Sequence, residues 1–340
     1  MDRIGRRLAI HSAACLLCCT LSDAKATLIS NIRVRIPMPE FRHLTATSQL
    51  DRAHIETRLF PLCETLRADG AADGRLIGLA LYSLFYEPSL LTRTSFERAM
   101  GLLGGQVYQT EDASQFFPVS NASHMDNIIK ILASLRIDVV VLRSSAAGVV
   151  ERAEFADALT VINGGSEDDH PTQALADLYT LQRELGGIDG ARIAVVGRLE
   201  HRNVNALLRG LALFDGVNAI LVPSSGNADP DVLGYCRQRG MNISVEKDLD
   251  ALESVDCIYL NAPRTLAHAR LLRSRGALNL RIDRAFMDRL KSNCVILDPM
   301  QRSGDFTVEV EDDRLAFYRQ SENSLVMRMA ILTDLLDKAN

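Results

Sequence analysis

The chain has 340 residues, 47% hydrophobic and 24% charged, with a formal net charge of −5. That length is enough for two α/β domains of ordinary size. The acidic balance argues against a nucleic-acid partner, which would show a basic stripe. No run of about 20 uninterrupted apolar residues is present, so no membrane-spanning helix is expected.

At the N-terminus, Arg3, Arg6 and Arg7 precede the largely apolar run 8–21, and Ala24-Lys25-Ala26 has the form of a small-residue cleavage site. By shape this is a secretory signal. The remainder reads as a cytosolic fold, so residues 1–37 are expected to be an extension outside the core, with a cytoplasmic location favoured over export. The cysteines (Cys15, Cys18, Cys19, Cys63, Cys236, Cys257 and Cys294) are odd in number, and Cys15 and Cys18 have no second pair to complete a metal site. Scattered in this way, they are expected to be small buried hydrophobes in a reducing compartment.

From Leu50 to Leu66, charged and apolar residues alternate at helical spacing, which predicts an amphipathic first helix. The apolar run Leu79 to Tyr86 suits a buried parallel strand and ends in the break Glu87-Pro88-Ser89. A helix from about Ser95 to Leu103 follows, and residues 104–108 return to strand. Helix 125–136 leads into the strand Asp138 to Arg143. A further helix and the strand Leu159 to Asn163 close this half. His170-Pro171-Thr172-Gln173 opens a helix to about Leu185, stopped by Gly186-Gly187.

The second half restarts with strand 191–197 and helix 203–213. It has no G-x-G-x-x-G, so no dinucleotide cofactor is expected. Strands are expected near 219–222, 243–245, 257–260 and 295–297, then a final amphipathic helix from Ser324 to Leu336. The β–α–β–α beat predicts two doubly wound parallel-sheet α/β domains joined by interdomain helices.

The most informative stretch is Ser89-Leu90-Leu91-Thr92-Arg93 followed by Ser95-Phe96-Glu97. It delivers small hydroxyls and an arginine onto a helix start, where exposed N–H groups and the helix dipole favour an anion. By itself such a start is ordinarily only a cap. The segment resembles the Ser-Thr-Arg-Thr-Arg signature of the aspartate and ornithine carbamoyltransferases, nearest the aspartate enzymes' catalytic chains. Its central Thr-Arg pair is replaced here by Leu90-Leu91. The resemblance covers about residues 39–338. It implies a first domain of 38–168 plus 320–340, a second of 169–319, and a homotrimer with active sites shared between subunits.

The resemblance also implies site roles. Thr92, Arg143 and His170 match the groups that bind the carbonyl oxygen of the donor, and Gln173 matches the holder of the carbamoyl amide. Ser89 and Arg93 stay on the anion side. Arg202 matches the arginine for the amino-acid substrate's carboxylate, with Arg264 as a shifted substitute for a second one. Arg302 survives from the motif His-Pro-Leu-Pro-Arg, while Asp298 replaces its histidine and is placed to act as a base, hold an amine or simply form a turn. The loop 112–124 contains no lysine or arginine, with Ser120 nearest to the family's lysine position. Amine attack on a carbamoyl carbon asks mainly for preorganised donors around the carbonyl oxygen. It needs no metal or cofactor.

The partners implied are therefore a small-molecule amino acid and a carbonyl donor. Losing a buried charge-assisted contact to phosphate costs roughly 2–5 kcal/mol, so three functions stay open. They are a carbamoyltransferase, a homologue re-tasked to a less charged donor, and a non-catalytic regulatory paralogue.

Overall fold

The computed structural model describes residues 42–69, 74–110, 112–115, 123–247, 249–261, 281–299 and 307–336. The extension at 1–37, Ser120 and the site candidates Arg264 and Arg302 lie outside the described residues. Among the described residues, no helix is long and apolar enough to cross a membrane.

The first sheet contains β1 (Ala80–Phe85), β2 (Gln106–Gln109), β3 (Val139–Arg143) and β4 (Thr160–Asn163), ordered β2-β1-β3-β4. Every pairing in it is parallel. The second contains β5 (Arg192–Arg198), β6 (Asn218–Ser225), β7 (Asn242–Val245), β8 (Cys257–Asn261) and β10 (Val295–Leu297), ordered β10-β8-β5-β6-β7 and again parallel. Two short strands, β9 (Arg281–Ile282) and β11 (Thr307–Val308), pair apart from both. The protein therefore has two α/β domains with parallel sheets joined by helices.

Parallel strands bury both faces, so they read as near-continuous apolar runs. Val139, Val140, Val141 and Leu142 are all fully buried. Alternate residues go to different cores: Val139 and Val141 face one, Val140 and Leu142 the other. The first of these cores is continuous between the sheets. It contains Leu81 and Val141 of the first sheet, Val195 and Tyr259 of the second, and Leu175, Leu178 and Leu332 from the helices between them. Those helices are α5 (Pro171–Leu185) and α9 (Phe317–Leu336), which pack on each other.

The remaining helices are α1 (Phe60–Ala68), α2 (Leu90–Leu102), α3 (Ser123–Ser134), α4 (Val149–Phe155), α6 (Arg202–Leu211), α7 (Pro230–Gln238) and α8 (Arg284–Arg289). The first expected helix exists but is not uniform. It starts at Arg52, where the Asp51 carboxylate accepts the His54 N–H at 2.9 Å, and widens to a π turn over Ile55–Leu59. Pro61 follows two residues after that turn ends; it has no N–H to give and its ring would crowd the carbonyl a turn earlier, so the wider turn accommodates it.

Two other boundaries differ from the sequence expectation. Helix α2 begins at Leu90, not Ser95, with Ser89 as an extended N-cap after Pro88. Helix α9 begins at Phe317, seven residues before Ser324, because its early turns bury polar side chains such as Gln320 and Asn323. These break the apolar period that marks a helix in sequence.

Candidate active site

In an open α/β sheet the ligand crevice lies beyond the strands' carboxyl ends, where the winding direction reverses. In the first sheet that place is between β1 and β3, since β2 lies on one side and β4 on the other. Here the chain has a cavity of about 220 Å³ lined by Ser89, Leu90, Leu91 and Thr92 from the β1–α2 turn, with Arg143, His170 and Gln173. From the second domain come His201, Asn203 and Pro299. The strand–turn–helix logic explains the placement: β1 ends, Pro88 forbids a strand continuation, and α2 starts with its first N–H groups free.

Arg143 is the last residue of β3 and is buried. Its Nη1 donates to the Gly164 carbonyl at 2.9 Å. Gly165, with φ +120°, passes so close that a Cβ there would lie 2.7 Å from Arg143 Nη1. Only glycine takes that backbone and leaves that space.

His170 caps α5 and is buried. Its Nε2 lies 3.3 Å from Thr92 Oγ1 and its Nδ1 lies 3.3 Å from Thr172 Oγ1. Burial first, then the positive charges of Arg143, Arg202 and Arg328, hold its pKa well below the ordinary imidazole value. The ring is neutral near pH 7.

Gln173, one turn into α5, donates its Nε2 to Asp177 Oδ1 at 2.9 Å. Thr92, Arg143, His170 and Gln173 are thus brought to one cavity.

The anion-side and acceptor-side candidates are placed differently. Arg93 is not among the cavity-lining residues; its Nε donates to Glu97 and to Gln109, each at 2.9 Å. Leu90 is 77% exposed. Arg202 is buried and ion-paired to Glu87 at 3.0 Å, with Nη1 donating to the Ser166 carbonyl and to Ser145 Oγ. Burial opposes ionisation of Glu87, yet hydrogen bonds from Ser145 and Arg202 outweigh it and hold its pKa at about 2. Asp298 is buried one residue before the cavity-lining Pro299, and its N–H donates to Gln320 Oε1 at 2.9 Å.

Glu87, His201, Asn203 and Asp177 were not among the residues singled out from sequence. Glu87 reads there only as part of a turn. His201 and Asn203 carried one usable signal, their place just after a buried strand at a helix start, where His201 Nδ1 accepts the Asn203 N–H.

Two family profiles match the chain: "Aspartate/ornithine carbamoyltransferase, carbamoyl-P binding domain" over residues 42–183, and "Aspartate/ornithine carbamoyltransferase, Asp/Orn binding domain" over 189–335. The catalytic subunit of aspartate carbamoyltransferase from Saccharophagus degradans is 33% identical over 326 residues, 88% of this chain and 93% of that protein. The chloroplastic aspartate carbamoyltransferase of Oryza sativa subsp. japonica is 33% identical over 276 residues, 78% of this chain and 76% of its own. Among solved structures, the Trypanosoma cruzi aspartate transcarbamoylase in complex with carbamoyl phosphate and aspartate superposes with a TM-score of 0.76 at 30% identity, covering 85% of this chain and 95% of that one.

Proposed function

Because the chain belongs to the aspartate/ornithine carbamoyltransferase family, nearest the aspartate enzymes' catalytic chains, we propose that it transfers a carbamoyl group from carbamoyl phosphate to the amine of aspartate or a close analogue. A transferase of this family acts by amine attack on an activated carbonyl. The observation that carries the reading is the convergence of Thr92, Arg143, His170 and Gln173 on one cavity at the reversal point of the first sheet.

The roles follow from donor geometry. We assign the Thr172 hydroxyl, 3.3 Å from Nδ1, as the donor to that nitrogen, which puts the proton of the neutral His170 ring on Nε2, the atom 3.3 Å from Thr92 Oγ1. Nε2–H, the Thr92 hydroxyl and the Arg143 guanidinium then supply three donors to the carbonyl oxygen as the amine attacks. The C=O π pair moves onto that oxygen, the new C–N bond forms, and the tetrahedral centre collapses with expulsion of phosphate. The amine's proton leaves with the phosphate oxygen or to solvent. Fixed donors aimed at a growing oxyanion are the largest usual source of such rate enhancement.

Arg202, Asp298, Arg264 and Arg302 are the proposed holders of the amino acid's carboxylates and amine. We assign donor binding to 38–168 with 320–340, completed by His170 and Gln173 at the start of the helix between the halves, and acceptor binding to the rest of 169–319. A cytoplasmic homotrimer with shared sites is proposed as the working form. Leu90 supports it, since a large apolar side chain at the cavity mouth is left bare in the single chain. Light scattering tests it: a mass near three chains is expected, and a monomer would count against shared sites.

One observation favours a second reading. Leu90 and Leu91 line the cavity while Arg93 is engaged by Glu97 and Gln109, so the leaving-group end is poor in charge. A donor with a neutral leaving group fits that end. Thermal-shift screening separates the readings: carbamoyl phosphate alone raises Tm under the first, and only neutral carbonyl compounds raise it under the second.

A further inference from the structure

Beneath the cavity lies a polar cluster that the proposed reaction does not use directly. Asp177, on α5, is fully buried. Its Oδ1 accepts from Gln173 Nε2 at 2.9 Å and from Gln320 Nε2 at 2.8 Å, and its Oδ2 accepts from Tyr259 Oη at 2.8 Å. Arg328, also fully buried, donates through Nη1 to Ser95 Oγ at 2.6 Å, and its Nη2 lies 3.5 Å from Gln173 Oε1. The cluster joins α2, α5, β8 and α9, and of its members only Gln173 lines the cavity.

A carboxylate is an acceptor only, whereas a glutamine amide has one accepting and one donating end. Turning the Gln173 amide over would set its oxygen against Asp177 Oδ1 at hydrogen-bond distance, with no proton between them. It would also set its NH₂ group towards the Arg328 guanidinium. Both contacts would become repulsive among groups that are buried. The amide is therefore held in one orientation, with Nε2 toward Asp177 and with Oε1, which accepts a long bond from Arg328 Nη2, keeping a second lone pair for a ligand. The same logic reaches the second wall of the cavity. Gln320 gives its NH₂ to Asp177, which leaves its oxygen to accept the Asp298 N–H beside Pro299.

We propose that Asp177 is a positioning residue that fixes the Gln173 amide with its oxygen toward the donor, so that the site selects a carbonyl donor bearing an N–H group over its methyl counterpart. This rests on the reading of the cavity as a carbamoyl-donor site. The chemical class selected is a primary amide or carbamoyl compound. A methyl group offers no donor to the glutamine oxygen, which then keeps only its long contact from Arg328 Nη2.

The test compares carbamoyl phosphate with acetyl phosphate, in which CH₃ replaces NH₂, as donors to aspartate. Wild type is expected to prefer the carbamoyl donor strongly. In Asp177→Asn the new amide can donate as well as accept, so Gln173 is free to turn. The preference should then fall at least about tenfold, expressed in the donor's KM rather than in kcat. Tyr259→Phe removes a bond from the other carboxylate oxygen and should keep the preference. A folded Asp177→Asn with wild-type preference would overturn the proposal, as would an equal loss in Tyr259→Phe.

A second measurement needs neither turnover nor a folded variant. In ¹⁵N-glutamine-labelled wild type, the Gln173 side-chain NH₂ should exchange with solvent far more slowly than exposed glutamines. Fast exchange would refute the fixed orientation. A protected amide with no carbamoyl transfer would instead fault the donor reading and leave the positioning role standing.

Discussion

His170 lines the cavity but is buried, and the positive charges of Arg143, Arg202 and Arg328 add to that burial, so on the proposed reading it acts as a neutral hydrogen-bond donor rather than as a titrating base. The profile of kcat/KM against pH should accordingly show no inflection from His170 between pH 6 and 8. An ionisation in that window that disappears in His170→Gln would contradict the assignment. Thr92→Val keeps shape but removes one carbonyl donor, and a fall of roughly 10²-fold in kcat is expected, as for loss of one oxyanion-hole donor. Glu87 makes a stability prediction. Its folded pKa, about 2, lies below its unfolded value, so its contribution is full above the unfolded pKa and lost as pH falls through the folded one. After solvent screening that contribution is about 1–2 kcal/mol. In urea titrations Glu87→Gln should be less stable than wild type by that amount at pH 7, with the gap closing near pH 2. An unchanged gap would place the effect elsewhere. At this scale, sequence exposed residues whose chemistry sits in a local motif, such as Thr92, His170 and Gln173. It hid Asp177 and Arg328, because a charged residue in a helix looks solvated until the packing around it is known.

On the proposed reading, donor affinity depends on the β1–α2 turn. The first turn of α2 offers free N–H groups, and Leu91 stands where an arginine would add a cation to them. Leu91→Arg should lower the KM for carbamoyl phosphate by about tenfold or more, the worth of a charge-assisted contact. No change in KM, with the fold intact, would favour the neutral leaving group. The β5–β8 contact depends on Gly197, where φ is +126° and a Cβ would sit 2.2 Å from the Asn261 carbonyl oxygen. Gly197→Ala should therefore cost more than about 2 kcal/mol in unfolding free energy. The strands were legible because fully buried parallel strands are short apolar runs between breaks. Helix starts were less so. Helix α2 begins on leucines and a threonine that belong to the site, and the opening turns of α9 spend their period on the buried Gln320 and Asn323. Helix α7 was missed, although Asp229-Pro230 is an N-cap followed by a first-turn proline, with the Asp229 carboxylate accepting the Asp231 N–H.

Across the whole molecule, the two sheets share one apolar core through α5 and α9, and the polar cluster at Asp177 is set inside it. The site is therefore made by the packing of the halves: Arg143 and Thr92 come from one, His201 and Asn203 from the other, and His170 and Gln173 from the helix between. Sequence alone showed the two-part architecture through its β–α beat, but not this convergence, which needs the handedness and order of both sheets. On the proposed reading, the carbonyl-binding group of the cavity is intact and used on a carbamoyl donor. The direct measurement is ¹³C NMR of [¹³C]carbamoyl phosphate with aspartate and the protein, alongside His170→Ala and Arg143→Ala. The expected result is build-up of an N-carbamoyl amino acid with wild type, slowed at least about 100-fold in each variant. Signal decaying only to cyanate and bicarbonate at the uncatalysed rate, with or without the protein, would contradict that reading.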